Sequence, residues 1–513
     1  MYLSRRAMLK AAAAAGMALP IAGLAACSDD AGSTGKLLRS GAPLPEPFRR
    51  PLTVPPVLKP SRGAGEDRYE ITARAADVEI LPGLTTRIWG YDGLFPGPTI
   101  EARSGRRVVV RTRNELPVPI VTHLHGGVTP PESDGYPTDL VLPVSGGHAG
   151  HDGAHGGRIS RGEKEYVYPL EQRAGTLWTH DHRMDFTGPQ VYRGLAAFFI
   201  VRDDEDDALP LPRGDKDIPL MITDRSFAED GSLLYPSLDP DLARTRGTEP
   251  DYMDGVLGDV ILVNGTPWPS HEVTNTRHRL RLLNASNARR YELTLDPPPE
   301  SGGFQVIGSD LGLLDAPRTL STLPIAQAER FDVVVDFSGY PIGTEVTLRN
   351  KLGEGRLGQV MRFVVAAKER ETASVPQRLS RLDFPDPEQI SGTRTFSFYR
   401  ESVHDHLEWT VNGKPFDMKR VDARPRLGTT ERWLITSDVH HPFHLHLAHF
   451  KVLSRNDKSP RDSDAGWKDT VDLRPGEHVQ LLVRFSGYRG RYVLHCHNLE
   501  HEDMAMMVNF DVV

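Results

Sequence analysis

Cysteine is nearly absent from this chain: 513 residues hold two, Cys27 and Cys496. A fold knit together by disulfides is excluded. Long apolar runs are nearly absent too. The single one, residues 11–26, has 16 positions, short for a bilayer crossing. No basic excess exists: 61 Lys and Arg face 69 Asp and Glu, for a net charge of −8. That argues against nucleic acid as the main partner, because phosphate binding draws on positive charge. Long helical periodicity is scarce. Gly (47) and Pro (41) are plentiful, as many short strands joined by turns require. The length exceeds what one core holds, so about two to four domains are expected.

The N-terminus reads as an address. "SRRAMLK" (Ser4 to Lys10) resembles the twin-arginine export signal, with Met8 where that pattern usually has Phe. The 11–26 run suits a signal core and ends in "LAAC", which looks like a lipoprotein processing box. Cys27 then becomes the acylated first residue of an exported protein, on the outer face of the cytoplasmic membrane or in the extracellular or periplasmic space. Cleavage removes Arg5, Arg6 and Lys10 and no acid, so the mature form is more acidic. The route carries folded cargo, which hints at a cofactor inserted before export. The mature chain keeps one unacylated cysteine, Cys496, and outside the cytoplasm a lone thiol is stable only when buried or metal-bound.

Residues 27–65 form a Gly-, Ser- and Pro-rich tether, extended at first and then lying on the folded body. From about Tyr69 short strands follow one another, including "RRVVVRTRN" (106–114), "RHRLRLLNAS" (277–286), "TERWLITS" (430–437) and "RYVLHCHNL" (491–499). This is the pattern of β-sandwiches or barrels. A weak internal echo, in which "VVVRTRN", "LRLLNAS" and "ERWLIT" hold equivalent places, divides the chain into β-domains at 66–205, 206–368 and 390–513. The charged, proline-containing stretches 203–215 and 369–389 read as linkers, and the arginines of "RYELTL" and similar strands as solvated faces.

Four His-x-His pairs stand out: His123/His125, His180/His182, His444/His446 and His495/His497. On a strand, residues i and i+2 share a face, so each pair aims two imidazoles one way. Eight imidazoles exceed what one mononuclear ion takes, and the count favours a cluster. Two pairs lie early and two late, so the first and last domains must touch. Cys496, between His495 and His497, faces the opposite side and sees a second site. His501 follows at five residues and Met506 at five more, while His441 precedes Pro442. Two imidazoles, a thiolate and a weak thioether make the blue-copper electron-transfer set. One strand thus wires a single copper to a multi-metal cluster.

With all four histidine segments present, and with "RIWGYDGLFPGPTIEA" (87–102) and "VTHLHGGVTPPESDGYP" (121–137), the sequence resembles the multicopper oxidases over nearly all of 66–513. The likeness is greatest to the three-domain bacterial branch of the spore-coat laccase, with bilirubin oxidase more distant. The resemblance implies an all-β fold of three cupredoxin-like Greek-key domains. It implies type 1 copper on His441, Cys496, His501 and Met506, and type 2 copper on His123 and His444. It implies paired type 3 coppers on His125, His180, His182, His446, His495 and His497, for about four copper ions per chain. No position departs from the pattern. The implied reaction takes electrons from a phenolic or other small organic donor at type 1 copper and reduces dioxygen to water at the cluster. Asp134 and Glu502 match the family's proton-delivering acids.

Other readings remain open at this point. Met504 is an alternative axial ligand, and Asp134 and Glu502 could serve only to hold ligand imidazoles. His440 and His449 read as packing or supporting residues. The "GGHAGHDGAHGG" segment (146–157), with His148, His151 and His155, reads as a surface loop; no methionine-rich insert signals a cuprous oxidase. An oxidase of Cu(I) or Mn(II) would carry the same centres. A copper nitrite reductase would not need His180 and His182 beside both other pairs, and a non-enzymatic scaffold would not need every ligand. A monomer is favoured.

Overall fold

The computed structural model describes residues 32–146, 157–403 and 406–513; the signal segment, Cys27 and the three histidines of the 146–157 stretch lie outside them. The described chain is β-structure throughout, with only short helices. It forms three bodies, each a pair of sheets around its own core.

In the first body, a sheet centred on Glu66–Val78 and Arg107–Asn114 faces one ordered Ile100–Arg103, Ala196–Arg202, Gly175–Asp181, Thr122–His125. Alternation drives the packing. Tyr69, Ile71 and Ala73 point inward from one sheet, Leu124, Leu177 and Phe199 from the other, and all are buried together. The middle body repeats the plan with larger sheets and the largest core. The third packs a sheet containing Thr430–Ser437 and His478–Arg484 on one ordered Thr470–Leu473, His441–Leu445, Gly490–Cys496, Met507–Val512.

The internal echo has a structural cause. In each body the opening strand pairs in parallel with the echoed one: Glu66–Val78 with Arg107–Asn114, Asp217–Phe227 with Arg277–Asn284, and Gly392–Val403 with Thr430–Ser437. A parallel pair needs a crossover, and the same crossover occurs three times.

One expectation changes. The arginines of the strands are not solvated faces. Arg290, which opens "RYELTL", is buried and forks onto Asp472 of the third body at 3.0 and 2.5 Å. Arg279 is equally buried, on Asp332 and on Asp206 of the first body's tail. A lone arginine on a strand reads as exposed unless the partner carboxylate, far away in sequence, is known. The stretch after 203 holds local structure. Asp203 caps a short helix, Asp204–Ala208, by accepting from Asp206 N at 2.7 Å. The tether docks early, for Lys36–Leu38 pairs with Val256–Gly258 and Ala42 enters the middle core.

Candidate metal centre

The inner strands of the first and third bodies carry the histidines. Thr122–His125 pairs with Gly175–Asp181 so that His123 faces His180, and His441–Leu445 pairs with Gly490–Cys496 so that His444 faces His495. Within each pair the ring centroids lie 5.0–5.7 Å apart. His182, His446 and His497 each stand one residue past the end of their strand. Across the junction the rings interleave: His123 stacks on His446 at 3.9 Å and His125 on His444 at 3.7 Å. Eight rings from two bodies fill one buried space.

Their donor atoms fall into three groups whose members lie within 4.8 Å of one another: His125, His180 and His497; His182, His446 and His495; and His123, His125 and His444. Most of the outer nitrogens are held, though neither nitrogen of His497 nor Nδ1 of His182 makes a hydrogen bond. Nδ1 of His123 meets the Asp134 carbonyl, His180 that of Asp181, His444 that of Asp469 and His495 that of Cys496. His446 Nδ1 meets Asp134 Oδ2 at 2.8 Å. Glu502 reaches His182 Nδ1 at 3.3 Å and His495 Nδ1 at 3.1 Å. A neutral imidazole that donates from Nδ1 keeps its lone pair on Nε2. The Nε2 atoms of His182 and His446 each lie 3.2 Å from that of His495. Those of His123, His180 and His444 have no partner.

Converging lone pairs repel unless a cation stands between them. Protonation does not relieve them. Burial, and then the neighbouring rings, hold His123, His182 and His446 well below the ordinary imidazole range, and burial brings His180 down to about 4. The set fits copper: neutral, dry, nitrogen-rich and pre-aimed.

The second site lies across the Gly490–Cys496 strand. Cys496 Sγ is 3.3 Å from His441 Nδ1 and 3.6 Å from His501 Nδ1, and the two nitrogens are 3.1 Å apart. Here the other nitrogen is held. His441 Nε2 lies 2.9 Å from Asp438 Oδ1, His501 Nε2 lies 3.1 Å from the Asp254 carbonyl, and Trp409 stacks on His501 at 3.7 Å. Burial pushes the Cys496 thiol well up, so a thiolate needs a cation beside it. The strand ends at Cys496, and His501 sits on the Leu499–Asp503 helix, so a helical turn rather than a pleat returns it to the sulfur. Met506 is buried with Cys496 in the apolar core of the third body, its N–H donating to His501 O and its carbonyl accepting from Cys496 N. Met504 lies against Gly247.

The eight paired histidines gather at the first site and His441, Cys496 and His501 at the second; His440 and His449 join none of the donor groups. Asp134 and Glu502 both touch histidines, and burial lifts Asp134 to about 6. Asp438, Trp409, Asp469 and Thr470 escape sequence reasoning. The signal for Asp469 was the charged pair in "WKDTVDL", set among residues that are otherwise a buried strand.

Comparison with known proteins bears on the same two bodies. Family models described as multicopper oxidase match residues 72–206 and 385–513. A laccase from Bacillus subtilis is 36% identical, over 91% of this chain and 98% of that protein. A bilirubin oxidase from Albifimbria verrucaria is 35% identical, over 90% of this chain and 81% of that protein. The crystal structure of a laccase from Pediococcus acidilactici superposes with a TM-score of 0.79 at 33% identity, covering 93% of this chain and 95% of that one.

Proposed function

The chain belongs to the multicopper oxidases, built of their cupredoxin-like β-domains, and from that premise we propose a laccase-like oxidase that draws single electrons from phenols, aromatic amines or related small donors and passes them to dioxygen. One observation carries the reading. Cys496 places its sulfur in one donor set while His495 and His497, its covalent neighbours, place their rings in two others. His495 Nδ1 also donates to the Cys496 carbonyl at 3.0 Å, a second link between the sites.

His441, Cys496, His501 and Met506 would hold type 1 copper, and His123 and His444 type 2 copper. His125, His180 and His497 would hold one type 3 ion and His182, His446 and His495 the other, about four in all. Bound copper supplies one-electron transfer at the thiolate and dioxygen reduction at the histidine cluster. The chain supplies the rest. Packed rings exclude water, most of the outer nitrogens are pinned, and Asp134 and Glu502 stand beside His446, His182 and His495, placed to pass protons toward the cluster. Residues 1–26 are proposed as a twin-arginine signal and Cys27 as an acylated anchor, which would place the enzyme outside the cytoplasmic membrane.

Oxygen uptake with a donor panel tests this. Phenols and aromatic amines are expected to drive it, with the intense blue absorption of a copper thiolate bleaching under donor and returning in air. Uptake with Cu(I) or Mn(II) alone would overturn the donor class. Intact mass of the membrane-bound form tests the anchor, and a peptide starting before Cys27 would remove it.

A further inference from the structure

The middle body carries none of the residues assigned above to copper, yet one of its side chains reaches the cluster. We propose that Arg330 is a positioning residue for the histidine cluster: by clamping Asp469 it dictates which nitrogen of His125 faces the metal. The inference rests on the copper reading above.

Arg330 opens the Arg330–Asp336 strand and is fully buried. Its Nη1 and Nη2 donate to Asp469 Oδ1 and Oδ2 at 2.7 and 2.6 Å. Its Nε donates to the Thr176 carbonyl of the first body at 2.9 Å. The remaining protons go to the carbonyls of Ala328 at 3.0 Å and Asp310 at 3.1 Å. A guanidinium has five N–H groups, and each has an acceptor. The fork is therefore fixed in plane and reach, as an ammonium would not be. Asp310 braces both partners, accepting from Arg330 N at 2.8 Å and from Asp469 N at 3.3 Å.

Asp469 passes this rigidity to the cluster. Its Oδ1 lies 3.1 Å from His125 Nε2 and accepts from Thr470 Oγ1 at 2.8 Å. That hydroxyl, its proton committed, stands 3.1 Å from His125 Nε2 and 3.3 Å from His444 Nδ1. The Asp469 carbonyl takes the His444 Nδ1 proton at 2.9 Å. One residue thus sets two stacked imidazoles in opposite senses. His444 donates from Nδ1 and offers Nε2; His125 donates from Nε2 and offers Nδ1, which has no other partner.

The backbone agrees. Gly126, next to His125, has φ +88°, and a Cβ there would stand 2.7 Å from Arg330 Nη2 and 2.9 Å from Asp469 Oδ2. The clamp presses on the peptide that carries the ligand, and only glycine leaves room.

Asp469→Asn, Arg330→Met and Arg330→Lys test the assignment, with Arg279→Met as control. Arg279 forms an equally buried fork on Asp332 away from the histidines. Readouts are copper per chain, the paramagnetic type 2 resonance, the blue thiolate absorption and the melting midpoint. Asp469→Asn and Arg330→Met are expected to weaken copper retention in the cluster at least about tenfold, with a shifted type 2 resonance and the blue absorption intact. Arg330→Lys is expected to fall between. Arg279→Met is expected to melt earlier with the wild-type resonance. Should Arg330→Met fail to fold, Asp469→Asn, which keeps the side-chain shape, decides. Wild-type copper content and resonance in Asp469→Asn would overturn the inference, as would the same spectral change in Arg279→Met. A wild-type protein that takes up no copper would instead sink the reading beneath it.

Discussion

Cys496 touches two histidine nitrogens through its sulfur and two histidines through its peptide bonds, and no other side chain does both. Replacing it by serine removes the only thiolate among the described residues while changing shape little. Cys496→Ser is expected to lose the blue absorption and the oxidation of organic donors, to keep the circular dichroism of the fold, and to cost about 1–3 kcal/mol for a buried hydroxyl. Full donor turnover in that variant would break the link between the two sites. Met506→Leu is expected to raise the potential of the thiolate copper, since a weak donor to the metal is lost; a redox titration identical to wild type removes Met506 from the ligand set. Asp134→Asn keeps a polar group on His446 but no acidic proton. Oxygen consumption is expected to slow by about 100-fold with copper content unchanged, and an unchanged rate would limit Asp134 to holding the ring.

The strand explains what could be read in advance and what could not. A His-x-His pair announces itself because the pleat repeats every two residues. The reason holds even though three of the pairs run one residue past their strand. His501 was found by spacing, but its helix was not, since five residues are too few for a helical period to show. Asp438, Asp469 and Arg330 gave no comparable sign. Asp438 is a single charge, Asp469 and Arg330 each only stand beside an opposite charge in sequence (Lys468 and Glu329), and the meaning of each lies in partners 3, 139 or 344 positions away. The turn behind the first pair is also an element with a requirement. Gly135 has φ +86°, and a Cβ there would stand 2.5 Å from the Thr122 carbonyl and 2.6 Å from His123 Cα. Gly135→Ala is expected to lower stability by about 2 kcal/mol or more and to displace Asp134 and His123 together. Calorimetry beside copper analysis checks this; a normal melt with full copper would show that the turn has room to give.

At the scale of the molecule, the donor groups take residues from both the first and the third body, so bound metal joins them. Removing it should loosen that junction. Anything held by the native state alone stabilises by mass action, about 2.7 kcal/mol at a hundredfold excess over the dissociation constant. Chelation is therefore expected to lower the melting temperature by several degrees and copper to restore it. A melt indifferent to chelator would mean that the direct contacts between the two bodies, Asp503 with the Thr187 and Gly188 amides and Tyr136 with Asn509, hold them together without metal.

The interleaved rings also fix an order of events in the making of the protein. His123 and His125 leave the ribosome more than three hundred residues before the rings that stack on them, His444 and His446. Until the last strands arrive, the early half of the site has nothing to close against, and a truncated chain carries only half a cage. The type 2 copper resonance of a finished preparation, which on this reading needs His123 beside His444, would then be a birth certificate, issued only to chains translated to their final strands and folded with both ends together.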